Sequence, residues 1–184
     1  RQWGVDVGAS QVNWSIWSSH VEFRDLSIGP LSDPYFKATS GKFDYNLAAL
    51  LKGKLKFSHI LVNQGVYIIH LEQPDAPAAA DATADNDPVL IDLSDGKAVD
   101  SNVVITFGSG QSPSAIEFTR LNFEFDRFAN DQRLTGSARS DIRYASSRNS
   151  HVDSGLLDFK ISTKLNEKLL PETMKLHAAL SQLK

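Results

Sequence analysis

The chain has 184 residues, enough to bury a core without disulfide or metal staples. Its 19 Lys and Arg against 22 Asp and Glu give a net charge of -3, which offers no basic field for nucleic acid. The absence of cysteine excludes disulfides, thiolate nucleophiles, iron–sulfur clusters and cysteine-ligated zinc. Taken in chain order, Val12, Trp14 and Ile16 alternate with polar residues, as do Val21 and Phe23, the period-2 pattern of strands with one buried face. Phe43 with Tyr45, Leu55 with Phe57, Ile60 with Val62, and Val66 to Leu71 continue the pattern, with Asn63-Gln64-Gly65 as a turn. Between them, Asn46 caps a helix of about two turns with Leu47, Leu50 and Leu51 on one face and Gly53 at its left-handed end. That helix is expected to close one end of the strands.

Residues 73–88, QPDAPAAADATADNDP, differ in kind, because 13 of the 16 are Asp, Ala or Pro. Such a stretch has too little apolar surface to offset its ordering entropy and reads as a flexible acidic loop or linker between residues 1–72 and 89–184. It is either an insertion between two strands of one sheet or a boundary between domains. The first option makes residues 1–184 a single β-rich domain. The segment holds four carboxylates and no Lys or Arg, so the rest of the chain carries a charge of +1.

The second half repeats the style of the first. Val103, Ile105 and Phe107 alternate, Gly108 to Pro113 turns the chain, and Ile116, Phe118, Leu121, Phe123 and Phe125 follow. Further strands are expected at Gly136 to Tyr144, Leu156 to Thr163 and Met174 to Leu180; Leu165 to Leu180 is equally compatible with helix. VEFRDLSI at Val21 to Ile28 echoes IEFTRLNF at Ile116 to Phe123, through repetition or through two strands under one half-buried constraint. The fold class is therefore mainly β, a β-rich α+β fold. A twisted antiparallel sheet is expected, opening as a curved groove, with one or two short helices.

No catalytic or nucleotide-binding motif is present: there is no HExxH, GxSxG, Walker loop, GxGxxG or EF-hand loop. His20, His59, His70, His151 and His177 stand singly, without the i, i+2 or i, i+4 spacing that aims two imidazoles at one metal. One pairing remains, His59 with His70 across a hairpin. Asp25, Asp44, Asp92, Asp95, Asp141, Asp153 and Asp158 fall beside turns or at polar strand positions, with Asp95-Gly96 as a turn signal. No catalytic residue, cofactor or metal site is expected. Trp3, Trp14 and Trp17 cluster near the start. An exposed indole beside Arg1 would suit a membrane interface, and the alternative is that all three fill the core under the helix.

Four stretches of the first half carry a resemblance: VEFRDLSIG at Val21 to Gly29, KATSGKFDYN at Lys37 to Asn46, LAALLKG at Leu47 to Gly53, and KLKFSHILVNQGVYIIHLE at Lys54 to Glu72. Over about 70 residues this succession resembles the N-terminal region of AsmA-like bacterial envelope proteins, the family that includes TamB-type relatives. The chain departs from the family pattern in having Asn63-Gln64-Gly65 where the family often has Pro, and the acidic segment where a glycine–asparagine signature is typical. The resemblance implies a periplasmic domain of a Gram-negative-type envelope, tethered to the inner membrane by a segment outside this sequence. It implies a role in outer-membrane biogenesis or lipid transport, with acyl chains on an apolar sheet face. The start at Arg1 without methionine agrees with a mature or trimmed fragment. Candidate lipid-binding positions are Trp14, Ile16, Phe23, Phe43, Phe57, Val62, Phe118 and Phe123. The alternative reading is a β-rich scaffold or protein-interaction module without ligand. If the chain is a fragment of a longer sheet, its terminal strand near Met174 to Leu180 is expected to present an edge that pairs with the rest of that sheet or with a second copy.

Overall fold

The computed structural model describes residues 6–30, 32, 34–71, 90–107, 114–146, 149–167 and 169–182, without the side chains of residues 70, 71, 145, 146 and 149–153. The chain forms one open, curved, mixed sheet of ten strands. In chain order these are β1 (Val7–Gly8), β2 (Gln11–Ser15), β3 (His20–Ile28), β4 (Phe36–Tyr45), β5 (Leu55–Leu71), β6 (Ile91–Phe107), β7 (Ser114–Ala129), β8 (Arg133–Ser146), β9 (Asn149–Leu165) and β10 (Pro171–Ser181). The short strands β1 and β2 share one edge of β3, and β3 to β10 follow one another in sequence order to the other edge. Of the segment left open between helix and strand, residues 171–180 are strand and the described residues between 166 and 170 form a turn. The expected turn at residues 108–113 and the acidic segment at 73–88 lie outside the described residues.

Every junction is antiparallel except that of β5 with β6, where Leu55 pairs with Ile91 and Leu71 with Phe107. This corrects the expectation of a purely antiparallel sheet. Parallel neighbours need a connection of a dozen residues or more, which the stretch between Leu71 and Ile91 supplies. The helix is also shorter than expected. α1 spans Leu47–Leu50, a single turn capped by the Asn46 side chain, which accepts from the Ala49 N–H at 2.8 Å. Gly53 does take the left-handed conformation, with φ 72°. None of the helix residues is buried, so α1 closes nothing off.

The largest difference from the sequence reading lies inside the strands. β5 runs unbroken for 17 residues through the expected Asn63-Gln64-Gly65 turn, and β6 does the same through Asp95-Gly96. In their place stand single left-handed residues with φ near +50°, Asp25 in β3, His59 and Gln64 in β5, Asp95 and Asp100 in β6, and Arg120 in β7, and the pairing register shifts, as at a β-bulge, beside His59, Asp100 and Arg120. A strand that alternates cannot change phase without an extra residue, and a bulge supplies it while bending the strand. In β5, Leu55 and Phe57 are followed by left-handed His59, Ile60 and Val62, then by left-handed Gln64, Gly65 and Tyr67. β6 repeats the plan with Ile91 and Leu93, left-handed Asp95, Gly96 and Ala98, left-handed Asp100, Ser101 and Val103. The interval is five residues in both strands, and the parallel register sets His59 level with Asp95 and Gln64 level with Asp100. The two echoing segments carry their left-handed residues at corresponding positions, Asp25 and Arg120.

Bulges unpair backbone groups, and nearby side chains take these up. The Gly65 N–H donates to Ser101 Oγ at 3.0 Å, the Asp100 N–H to Asn122 Oδ1 at 3.3 Å, and the Arg120 N–H to Asn102 Oδ1 at 3.3 Å. The Ser140 hydroxyl donates to the Thr119 carbonyl at 3.1 Å. Among the described residues no buried side-chain nitrogen or oxygen lacks a partner. Left-handed backbone costs a non-glycine residue about 1 kcal/mol, less for Asp, Asn and His, and most for β-branched residues. Asp100→Gly is therefore expected to leave thermal stability equal or slightly higher, and Asp100→Val to lower it by about 1–2 kcal/mol in urea unfolding. Equal stabilities of the two variants would contradict the assigned bulge.

Candidate functional site

Registered partners on neighbouring strands point to the same side of a sheet, so the pairing alone maps its two faces. One row crosses the molecule from edge to edge: Val12, Phe23, Gly41, Val62, Ala98, Phe123, Ala138, Phe159 and Ala178. All nine are apolar or glycine, and from Phe23 onward larger and smaller residues alternate. Beside it, one residue further along each strand and on the opposite side, runs Asn13, Glu22, Lys42, Leu61, Lys97, Glu124, Ser137, Lys160 and His177. The sheet thus has one apolar and one polar face, and at the strand spacing of about 4.8 Å the apolar row is about 40 Å long.

The candidate positions fall on this frame as follows. Phe23, Val62 and Phe123 stand in the row itself. Phe118 belongs to a parallel row, Ile28, Phe36, Tyr67, Val103, Phe118 and Ile142. A Cβ on Gly65 would meet both Val62 and Phe36, which places the two rows on one face. Phe43 and Phe57 stand edge to face at 5.2 Å between ring centres. Trp14 registers with Val21, which registers with Phe43, and the Trp14 indole N–H donates to the Tyr45 hydroxyl at 2.8 Å. Seven of the eight candidates therefore share the apolar face, and Ile16 does not. It sits in the β2–β3 turn, where the Ser19 N–H donates back to its carbonyl. Sequence reasoning missed Tyr67, Val103 and Ile142 as members of this face, because the bulges shift the phase that alternation relies on.

Nothing among the described residues covers the apolar face. Among the described residues the buried apolar side chains are Phe23, Ala38, Tyr45, Ala129, Ala138 and Leu165, half of them alanines. At the two edges the apolar residues stand open, with Trp14 65 % exposed on one side and Met174 61 % on the other. Two glycines let aromatic rings lie flat on this face. The Phe23 ring covers Gly41 and the Phe125 ring covers Gly96, each occupying the space of a missing Cβ. Trp14 and Trp17 are both exposed, against the option in which the tryptophans fill a core; Trp3 lies outside the described residues.

The polar face carries paired charges. Arg127 and Lys56 hold Asp92, Lys97 faces Glu124 at 3.9 Å, and Arg120 pairs with Asp141. The Arg127 guanidinium, with Lys56, keeps the Asp92 carboxyl below its usual range. Asp44 accepts from both His20 and His59, which lowers its pKa, and the same hydrogen bond raises that of His20. His59 and His70 lie on the single strand β5, so no hairpin brings them face to face. Among the described residues no group of three or more His, Asp or Glu is placed to hold a metal ion, and no helix is long and apolar enough to cross a membrane. No protein-family model and no curated protein matches this sequence.

Proposed function

We propose that the apolar face binds acyl chains, and that the chain is a periplasmic, inner-membrane-tethered domain of an AsmA-like, TamB-type envelope protein. Its role would then be outer-membrane biogenesis or phospholipid transport between membranes. The observation that carries this reading is the uncovered apolar row from Val12 to Ala178, backed by a polar face and reaching both edges of the sheet. A hydrocarbon chain laid on such a surface gains about 0.8 kcal/mol for each methylene it removes from water. No covalent chemistry is needed, and the paired charges of the opposite face supply none. The test is lipid extraction and mass spectrometry of the purified protein, followed by uptake of a fluorescent fatty acid. Co-purifying phospholipid or fatty acid is expected, and Ala98→Asp, in the middle of the row, should weaken uptake at least about tenfold with the β-sheet circular dichroism retained. Protein free of lipid that takes up no fatty acid overturns the reading.

A second reading, a scaffold that works by strand pairing, is favoured by β10. All eleven of its residues are exposed, and it presents Met174, Leu176, Ala178 and Leu180 on the apolar side. The opposite edge is divided between the short strands β1 and β2, a common way of blunting an edge, whereas β10 is long and carries Lys175 as its only lysine. Self-association through β10 is the expected result in analytical ultracentrifugation, abolished by Leu176→Lys. A monomer at all concentrations would remove this reading.

A further inference from the structure

We infer that the end of the sheet carrying the β2–β3 turn and α1 docks on the surface of an anionic bilayer. Two neighbouring connections form this tip, joined by the Tyr45 N–H, which donates to the Ser19 carbonyl at 2.8 Å. On the first, Trp17 is 100 % exposed and Ile16 is 56 % exposed; on the second, Leu51 is 81 % exposed and Leu47 is 39 % exposed. Four large apolar side chains offered to solvent on adjacent turns are unusual for a soluble surface, and an indole with leucines is the set that settles at the boundary of headgroup and acyl chain. The charge at the tip matches a bilayer rather than a protein groove. Lys52 and Lys54 flank Gly53, and residues 16–19 and 46–54 include no Asp or Glu. The nearest carboxylate, Asp44, is engaged by His20 and His59, while Asp131 and Glu167 belong to the β7–β8 and β9–β10 turns. Cations beside exposed apolar residues are drawn to anionic headgroups within a Debye length of the surface.

The tip is continuous with the apolar face through Trp14, which precedes the turn and is tied to Tyr45. A bilayer at this end would therefore meet the end of the apolar row's own surface. Docking goes beyond acyl-chain binding and is tested apart from it. The measurement is co-sedimentation of the whole chain with vesicles of phosphatidylcholine alone or mixed with phosphatidylglycerol. Binding to the mixed vesicles is expected, weakened by added salt and accompanied by a blue shift of tryptophan emission. The double variant Trp17→Ser with Leu51→Ser removes two exposed side chains, so its thermal melt should not change, while its partitioning should fall at least about tenfold. Lys52→Glu with Lys54→Glu should abolish the preference for phosphatidylglycerol. Absence of binding to mixed vesicles, or unchanged partitioning of the Trp17→Ser, Leu51→Ser variant, overturns the inference. Uptake of fatty acid from vesicle-free solution should be equal in this variant and the parent. Vesicle binding without any uptake would therefore count against the acyl-chain reading alone.

Discussion

Deleting residues 76–85 is expected to destroy the junction between β5 and β6. In the parallel register Leu71 lies beside Phe107 and Leu55 beside Ile91, so the connection must return from one end of the sheet to the other. β5 has 17 residues, which at about 3.3 Å per residue makes the distance to be covered about 50 Å. The chain from Leu71 to Ile91 can reach about 70 Å when fully extended, but after the deletion only about 35 Å. Hydrogen exchange should show the β5 and β6 amides losing protection, with a lowered or non-cooperative thermal transition. Replacing the same residues by an equal number of Gly and Ser is expected to leave stability within about 1 kcal/mol, since what matters is reach and not identity. A deletion variant as stable as the parent would rule out the parallel junction.

The second large effect is expected at Gly41. A methyl group there would collide with the Phe23 ring and stand 2.6 Å from the Leu61 carbonyl oxygen. The ring can turn aside, but the carbonyl belongs to the neighbouring strand and cannot. Gly41→Ala should therefore cost about 2 kcal/mol, a fall of about 4–8 °C in Tm for a chain of this size. At Gly96 the three nearest atoms all belong to the Phe125 ring. Phe125→Leu is accordingly expected to relieve most of the cost of Gly96→Ala, whereas Phe23→Leu should relieve little of the cost of Gly41→Ala. Two double-mutant cycles check this. Equal rescue at both sites would show that the carbonyl contact is not limiting.

Much of the apolar face was legible in the sequence. Val12 with Trp14, Val21 with Phe23, Phe43 with Tyr45, and Phe123 with Phe125 were placed by alternation, because a half-buried strand imposes period 2 directly on the residue types. The continuity of β5 and β6 was not legible. His59, Gln64, Asp95 and Asp100 occupy left-handed backbone within strands, and the polar residues that tolerate this conformation are those that mark turns, so bulge and turn share one local signal. The parallel pairing also escaped, since alternation says which side a residue faces and nothing about which strand lies beside it. Nor could the pattern tell a covered face from an open one. Phe118 and Phe123 would be spaced identically under a second layer, and only the exposure of Trp14, Met174 and Leu176 separates the two cases.

The five-residue interval between left-handed residues, shared by β5 and β6, sets the unit in which their pairing can change. A one-residue insertion in β5 would turn every following apolar side chain to the polar side, and a two-residue insertion would keep the faces but set a bulge against a paired residue of β6. A slip of five residues gives up that alignment but again sets one left-handed residue beside another, with the apolar faces matched on either side of them. The nearest competing register is therefore a whole interval away, where Asp95 would stand beside Gln64. Strands of this kind lengthen in fives, and a sheet built from them can grow along its strands without altering what its apolar face presents.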